Sequence, residues 1–389
     1  MKKREKPFNH NKSFMAGILS LSLLTVMAGA AVAPALGVIQ AYFSDTNPLF
    51  VQMIISIPAI FIVITNFIFP RLCKAFGAKT LVMTGLLFYT AGGCVAGLFS
   101  NIALVLVMRA LVGIGVGIIM PLSTGLLAFY FPPRMQGKLM GQSSAMNQMG
   151  GVVATLLSGI LAGFSWRASF LVYLMGLISI VLCGIFMPDE KIYQHTEDGE
   201  KKKVGRVFRE NYVYVVGMFL LMTIFFIYPS NFAMETVADG VIPQQLIAVI
   251  MAMMDFVAFI GGLTFVKARR VCKGKTKYLA PGLFLIGYLL MALLGGWAGT
   301  LIGSAMIGFA NGAGIPFIIS EASMKAGKSA AVTVLPLISA ALYLAQFICP
   351  IIMSAVTAAL GGLVPHLPYY FAALLALIFC FWSVQIRHE

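Results

Sequence analysis

Long apolar runs separated by short polar segments dominate this chain. Twelve of the runs are long enough to cross a bilayer core of about 30 Å, which takes roughly 20 helical residues. We number them spans 1 to 12, at approximately 14–42, 50–69, 80–99, 102–128, 139–163, 168–187, 212–234, 246–266, 278–298, 300–320, 330–360 and 367–384. The pattern therefore predicts an all-α membrane protein with twelve transmembrane helices.

Composition and the distribution of charge support this prediction. Of the 389 residues, 60% are hydrophobic and 10% are charged, whereas about a quarter of the residues in soluble domains are charged. With the N-terminus in the cytoplasm, all but two of the 27 Lys and Arg residues fall in cytoplasmic segments, in agreement with the positive-inside rule. We predict a multi-pass protein of the inner or plasma membrane with cytoplasmic N- and C-termini. Topology and contact with the lipid bilayer explain the positive charge, so nucleic acid is not an expected partner.

A hydrophilic segment divides the spans into two sets of six. It covers residues 188–209 and is the longest polar stretch between spans. We therefore predict a cytoplasmic N-terminus at 1–13, an N-terminal six-helix bundle at 14–188, a cytoplasmic linker at 189–210 and a C-terminal six-helix bundle at 211–389.

The second half of the chain repeats features of the first at an offset of 195 residues. The matching pairs are Pro34 and Pro229, Gly113 and Gly308, Gly117 and Gly312, and Pro121 and Pro316. Parallel repeats of six helices with a site between them are an established transporter plan. We therefore predict two pseudo-symmetric bundles, in which the prolines act as bends and the glycines allow close helix packing.

Two charged residues inside the spans have no charged counterpart in the repeat. Arg109 is the only charge in span 4 and matches Ser304, and Asp255 is the only acid in the middle of a span and matches Ile60. Charges inside a membrane are costly and often functional, so we assign both residues to coupling. Asp255 is the candidate proton site, and Arg109 acts on an acid or binds an anion. The alternatives are structural: an arginine bonded to helix carbonyls, and a paired acid.

Uncharged polar residues indicate where a cavity lies. The interiors of spans 3, 6, 9 and 12 contain no Asn, Gln or charged residue, which is expected if these spans face lipid while the others surround a water-filled cavity. Polar, aromatic and soft apolar side chains that we predict to bind substrate are Asn147, Gln148, Tyr228, Met251, Phe259, Asn311, Tyr343 and Gln346. The alternative for each is hydrogen bonding or packing between helices.

Other classes of protein find little support in the sequence. No HExxH or GxSxG motif occurs, all four histidines lie outside the spans, and the six cysteines are scattered. We therefore expect no catalytic activity, no metal site and no cofactor. A polytopic membrane enzyme or a channel is a remote alternative, and a channel would not need the duplicated halves.

Two motifs resemble those of the major facilitator superfamily, and the resemblance extends over essentially the whole chain. Arg109-x3-Gly113-x-Gly115 resembles the fourth-helix signature of its proton-coupled drug transporters. Trp166-Arg167-x2-Phe170 resembles a frequent turn between its fifth and sixth helices. The resemblance implies a bacterial twelve-helix transporter, nearest to the drug/proton antiporters.

Two further motifs of the superfamily are degenerate here. The loop after span 2 keeps only Gly77 and Lys79 of the usual pattern, and Lys74 stands where an acid is normal. The antiporter signature of the fifth helix survives as Gly150-x3-Ala154-Thr155-x2-Ser158-Gly159, without its Gly-Pro pair. Whether the loop still gates, and whether the direction is export, stay open at this point.

Together these features predict a secondary active transporter of a small organic molecule that works by alternating access. Because no nucleotide-binding domain is encoded, we expect a proton gradient to drive transport. We also expect the protein to work as a monomer. The apolar walls favour efflux of amphipathic compounds, as an antiporter. The alternative is a proton-coupled importer or exchanger of a small organic anion, which Arg109 would favour.

Overall fold

The computed structural model describes residues 12–191, 204–294, 296–326, 334–360 and 364–386. Spans 1 to 6 are the helices Lys12–Ala30 with Leu36–Tyr42, Pro48–Ala75, Ala78–Ala96, Ile102–Tyr130, Pro133–Ala162, and the 3₁₀ helix Ala168–Met175 with Gly176–Phe186. Spans 7 to 12 are Val204–Asp239, Gln244–Cys272, Leu279–Leu293, Gly296–Ala326, Leu335–Leu360 and Leu367–Trp382. The described residues contain no strand.

The twelve predicted spans are confirmed, although eleven separate apolar stretches are long enough to cross a membrane. The longest stretch, Gln244–Leu293, has 50 residues and contains both span 8 and span 9. At Lys273 the backbone turns into the left-handed region, with φ 48°, and this ends the helix of span 8. Spans 8 and 9 then both pack along span 10, so the chain folds back there.

Several helix ends differ from the prediction because helices continue past the apolar core into polar sequence. Span 7 begins at Val204, inside the predicted linker, and residues 192–203 of that linker lie outside the described part.

The predicted end of span 9 at residue 298 is wrong, since this helix ends at Leu293. Gly296, with φ 57°, already begins span 10, because glycine allows the left-handed turn between the two spans.

The four repeated prolines differ in their effect on the helices. Span 1 is interrupted around Pro34, where the 3₁₀ helix Ala33–Ala35 separates its two α-helices. Pro121, Pro229 and Pro316 lie inside continuous helices. The predicted role of these residues as moving bends stays a prediction.

The predicted pseudo-symmetry is confirmed by how the spans pack. In the first half, span 4 packs against spans 2 and 3, and span 1 against spans 5 and 6. In the second half, span 10 packs against spans 8 and 9, and span 7 against spans 11 and 12. The main contacts between the halves join spans 1 and 7, 2 and 11, and 5 and 8. Spans 3, 6, 9 and 12 contribute to none of these main contacts.

The four repeated glycines lie where helices of one half approach each other most closely. Gly113 and Gly117 of span 4 lie against span 2, and Gly308 and Gly312 of span 10 lie against the backbone of span 8. At each of them a Cβ atom would overlap an atom of the neighbouring helix. These residues are packing positions, as the repeat indicates.

The two ends of the bundle differ in charge. Arg71, Lys74, Lys79, Lys325 and the cationic segment 267–277 lie at one end, which we call the basic end. Contacts hold its segments together: the Ala78 N–H donates to the Glu190 carbonyl at 2.9 Å. The sequence predicts that this end faces the cytoplasm. The outermost predicted cytoplasmic residues, 1–11 and 387–389, lie outside the described part.

Candidate functional site

Asp255 lies in the seam between the two halves, where span 8 meets span 5. The Thr155 hydroxyl donates a hydrogen bond to Asp255 Oδ2 at 2.9 Å. A Cβ atom at Gly151 would lie 3.8 Å from the same oxygen. One turn beyond Thr155, Gly159 packs directly against Ala248. Gly151, Thr155 and Gly159 are four residues apart, so one face of span 5 forms this seam.

The same face of span 5 is open towards the basic end. Gly141, Ser144 and Gln148 continue the stripe of Gly151 and Thr155 at helical spacing. Ser144 is exposed and Gln148 is half-buried, and a Cβ atom at Gly141 would meet nothing within 4 Å. Beyond Gly151 in the direction of the basic end, this face of span 5 is therefore less covered by neighbouring helices. Asp255 lies beside Gly151, where this change occurs.

Other polar contacts between the halves lie at several depths along the bundle. Gln346 of span 11 donates to the Ile55 carbonyl of span 2 at 3.2 Å. Gln52 Nε2 donates to Asn231 Oδ1 at 2.8 Å, which links spans 2 and 7. The Tyr343 hydroxyl donates to the sulfur of Met120 at 3.0 Å. The bundle is thus closed at the end opposite the basic end.

Arg109 is fully buried within the N-terminal half. Its Nε donates to the Ile54 carbonyl at 2.7 Å, and its two terminal nitrogens donate to the Tyr173 hydroxyl and the Ala28 carbonyl, both at 2.5 Å. These acceptors belong to spans 2, 6 and 1, so the arginine joins four helices. Among the described residues no hydrogen bond links it to Asp255, and the two charges are not brought together.

Both backbone carbonyls that Arg109 binds lack a normal helical partner. Ile54 precedes Pro58 by four residues, and proline has no N–H to donate to it. Ala28 lies at the end of the first helix of span 1, where the Val32 N–H donates to Gly29 instead. A cation at a helix C-terminus is also favoured by the helix dipole. The geometry is that of the structural alternative for Arg109.

The predicted substrate-binding residues fall into two groups. Asn147 donates to the Thr25 hydroxyl at 2.8 Å, the fully buried Tyr228 shares a hydrogen bond of 2.8 Å with Ser304, and Met251 is buried. These three make contacts between helices. Half-buried positions are Gln148, Phe259, Asn311 and Tyr343, while Gln346 is 7% exposed. The Oδ1 atom of Asn311 is buried and has no hydrogen-bond partner among the described residues.

Sequence reasoning missed two features of this region. Thr155 appeared only as part of a degenerate motif, and its bond to Asp255 could not be derived because it joins different halves. The Arg109 contact had a signal: Pro58, inside a predicted span, leaves the carbonyl four residues earlier without its partner. A buried donor nearby was therefore to be expected.

The sequence belongs to the Major Facilitator Superfamily, whose family model matches residues 18–350. Multidrug resistance protein 3 of Bacillus subtilis is 23% identical over 247 residues, which are 56% of this chain and 45% of that protein. The cis,cis-muconate transport protein of Acinetobacter baylyi is 26% identical over 136 residues, which are 35% of this chain and 33% of that protein. The chain thus matches less than half the length of these curated relatives.

A solved structure has the same fold. A bacterial homolog of the human lysosomal transporter Spinster, in an inward-facing and occupied conformation, has a TM-score of 0.75 and 14% sequence identity. The likeness covers 98% of this chain and 97% of that one. The chain is therefore a multi-pass membrane protein with the fold of this superfamily.

Proposed function

We propose that this transporter couples the movement of a small amphipathic molecule to protons through Asp255, and that it exports its substrate. The observation that carries the proposal is the position of this carboxyl group. It lies in the seam that must open when the bundle opens at the opposite end, and it is bonded across that seam to Thr155. Its protonation can therefore respond to the conformational change that moves the substrate.

The bond to Thr155 gives a physical reason for coupling. A carboxylate accepts this hydrogen bond across the halves, whereas opening the seam removes the donor and brings in water. The balance between the ionised and neutral forms of Asp255 depends on hydrogen bonding and solvation. A proton gained or lost thus changes the relative free energies of the two conformations, which is the thermodynamic requirement for coupling.

The charge distribution favours a cationic or neutral substrate. Asp255 is a charge in the seam between the halves, while Arg109 is buried and each of its nitrogens is already bonded. A negative group beside an apolar cavity attracts cations and leaves anions poorly stabilised. The relative named for multidrug resistance supports export of such compounds.

Transport by protein reconstituted in proteoliposomes tests this proposal. With an imposed pH gradient, the wild type is expected to accumulate a lipophilic dye cation such as ethidium. Asp255→Asn is expected to abolish gradient-driven accumulation while still exchanging dye at equal concentrations. Asp189→Asn, which neutralises an acid at the basic end, is the matched control. Full gradient-driven transport by Asp255→Asn would rule out the proposed coupling.

The relative named for muconate transport favours a second candidate, uptake or exchange of a small organic anion. The same vesicles decide between the two when a dicarboxylate is supplied in place of the dye. Saturable dicarboxylate transport without dye transport would establish the second candidate and overturn the first.

A further inference from the structure

The segment between spans 8 and 9 carries an unusual positive charge. Residues 267–277 contain six Lys and Arg residues and no acid. Two of the six have partners in the protein: Arg269 forms an ion pair with Glu321 at 2.8 Å, and Lys277 donates to the carbonyls of Val384 and Ile386.

The other four cations project from the protein without a partner. Lys267, Arg270, Lys273 and Lys275 are all exposed, and no hydrogen bond or ion pair joins their charged groups to any described residue. Lys267 and Arg270 lie one turn apart at the end of span 8. The left-handed turn at Lys273 keeps the last two close to that helix end.

The position of these cations on span 8 places them at the lipid boundary. The large apolar residues Val249, Phe256, Ile260 and Leu263 are exposed on one face of this helix, and Leu263 is 67% exposed. Lys267 and Arg270 follow Leu263 at four and seven residues, which places them on the same face. A cationic pair at the end of a lipid-facing apolar stripe lies at the depth of the phospholipid headgroups.

Comparison with the internal repeat indicates that membrane topology alone does not require these four charges. At the offset of 195 residues, the positions that match the four cations are occupied by Leu72, Ala75, Ala78 and Thr80. The equivalent loop after span 2 is held at the basic end by Arg71, Lys74 and Lys79. The scaffold is repeated here, whereas these four charges are not.

We propose that the end of span 8 binds the headgroup of an anionic phospholipid. Its phosphate lies between Lys267 and Arg270, with Lys273 and Lys275 on the side of the aqueous phase. Its acyl chains lie along the exposed stripe that ends at Leu263.

Native mass spectrometry of protein extracted from mixed vesicles of phosphatidylcholine and phosphatidylglycerol tests this proposal. The wild type is expected to retain phosphatidylglycerol in preference to phosphatidylcholine. The double variant Lys267→Gln/Arg270→Gln is expected to lose about 30-fold in relative affinity, since each basic residue near the surface contributes about fivefold to the affinity for anionic lipid. The control Arg71→Gln/Lys79→Gln removes the same charge from the equivalent loop and is expected to retain the lipid.

Three results would overturn the proposal. The first is equal loss of phosphatidylglycerol in both double variants, which would mean that only total charge matters. The second is full retention by Lys267→Gln/Arg270→Gln. The third is displacement of the lipid by inorganic phosphate at similar concentration, which would define a site for a soluble anion. All the substituted side chains are exposed or half-buried, and size-exclusion chromatography confirms that each variant is folded.

Discussion

Replacing Gly37 by alanine tests whether the two halves close against each other at the end opposite the basic end. A Cβ atom at Gly37 of span 1 would lie 2.7 Å from both the carbonyl oxygen of Ala233 and Cγ2 of Val237 in span 7. Because relaxed carbon contacts lie at about 3.5–4.0 Å, the two spans must part by about 1 Å. Overpacking of this kind costs about 1–3 kcal/mol, and only in conformations in which this end is closed.

The expected result is a shift of the conformational equilibrium rather than a loss of the fold. A cost of this size lowers the ratio of closed to open states at that end by about 5- to 150-fold. The higher helix propensity of alanine acts in both conformations and therefore cancels. Pulsed electron paramagnetic resonance between nitroxides at Leu98 and Leu294, which are exposed in different halves at this end, measures the shift in a cysteine-free background.

Gly17→Ala, in the same span, is the matched control. A Cβ atom at Gly17 would have its nearest neighbours at 3.6 Å, an ordinary contact within one half. Gly37→Ala is expected to lengthen the distances between the labels, while Gly17→Ala leaves them as in the wild type. The reasoning is refuted by unchanged distances in Gly37→Ala, or by an equal change in both variants.

Two further variants test individual contacts. Arg109→Met leaves the Ile54 carbonyl without a donor, while the Ala28 carbonyl keeps the Tyr173 hydroxyl, and the variant is expected to destabilise the protein by about 2 kcal/mol. Adding Pro58→Ala, which supplies a new N–H, is expected to restore about 1 kcal/mol. Thermal unfolding in detergent measures both effects, and the absence of any recovery contradicts the assignment. Thr155→Val is expected to reduce gradient-driven transport in the wild type but to have no further effect in Asp255→Asn. Additive losses would show that the hydroxyl acts elsewhere.

The fold could be predicted from the sequence because it depends on length and periodicity. Apolar runs located all twelve spans, and the offset of 195 residues identified the two halves before any contact was known. The helix ends could not be located in the same way, because hydropathy reports the apolar core and not the polar turns that continue beyond it. The start of span 7 at Val204 is the largest difference.

The residues of the candidate site could be predicted by their type, but the direction in which each side chain points could not. Asp255 was identified because an acid in an apolar span is rare, and the structure places it between the halves. Tyr228 was equally plausible as a binding residue, but its hydroxyl is used within the C-terminal half. Which side of a helix faces the cavity depends on its rotation, which is set by packing against neighbours that a single span does not reveal.

The asymmetry of Arg109 in the repeat has a structural explanation. Arg109 binds the carbonyl that Pro58 leaves without a partner, and at the repeat offset Pro58 matches Met253, which has an N–H. Span 8 therefore has no free carbonyl at the equivalent level. The residue that matches Arg109 is Ser304, and its hydroxyl shares a hydrogen bond with Tyr228 instead.

Spans 1 and 7 also differ in their backbone, although they match in the repeat. Both contain a proline at the matching position, but span 1 breaks around Pro34 while the helix of span 7 continues through Pro229. The break exposes the carbonyl of Ala28, which Arg109 also binds, whereas in span 7 the Ile224 carbonyl accepts from the Tyr288 hydroxyl. A charge that is absent from the repeat is therefore not in itself a sign of function, because the backbone that requires it can be absent as well. Asp255 has no such backbone partner, and its contact with Thr155 crosses between the halves, so it is the stronger candidate for coupling.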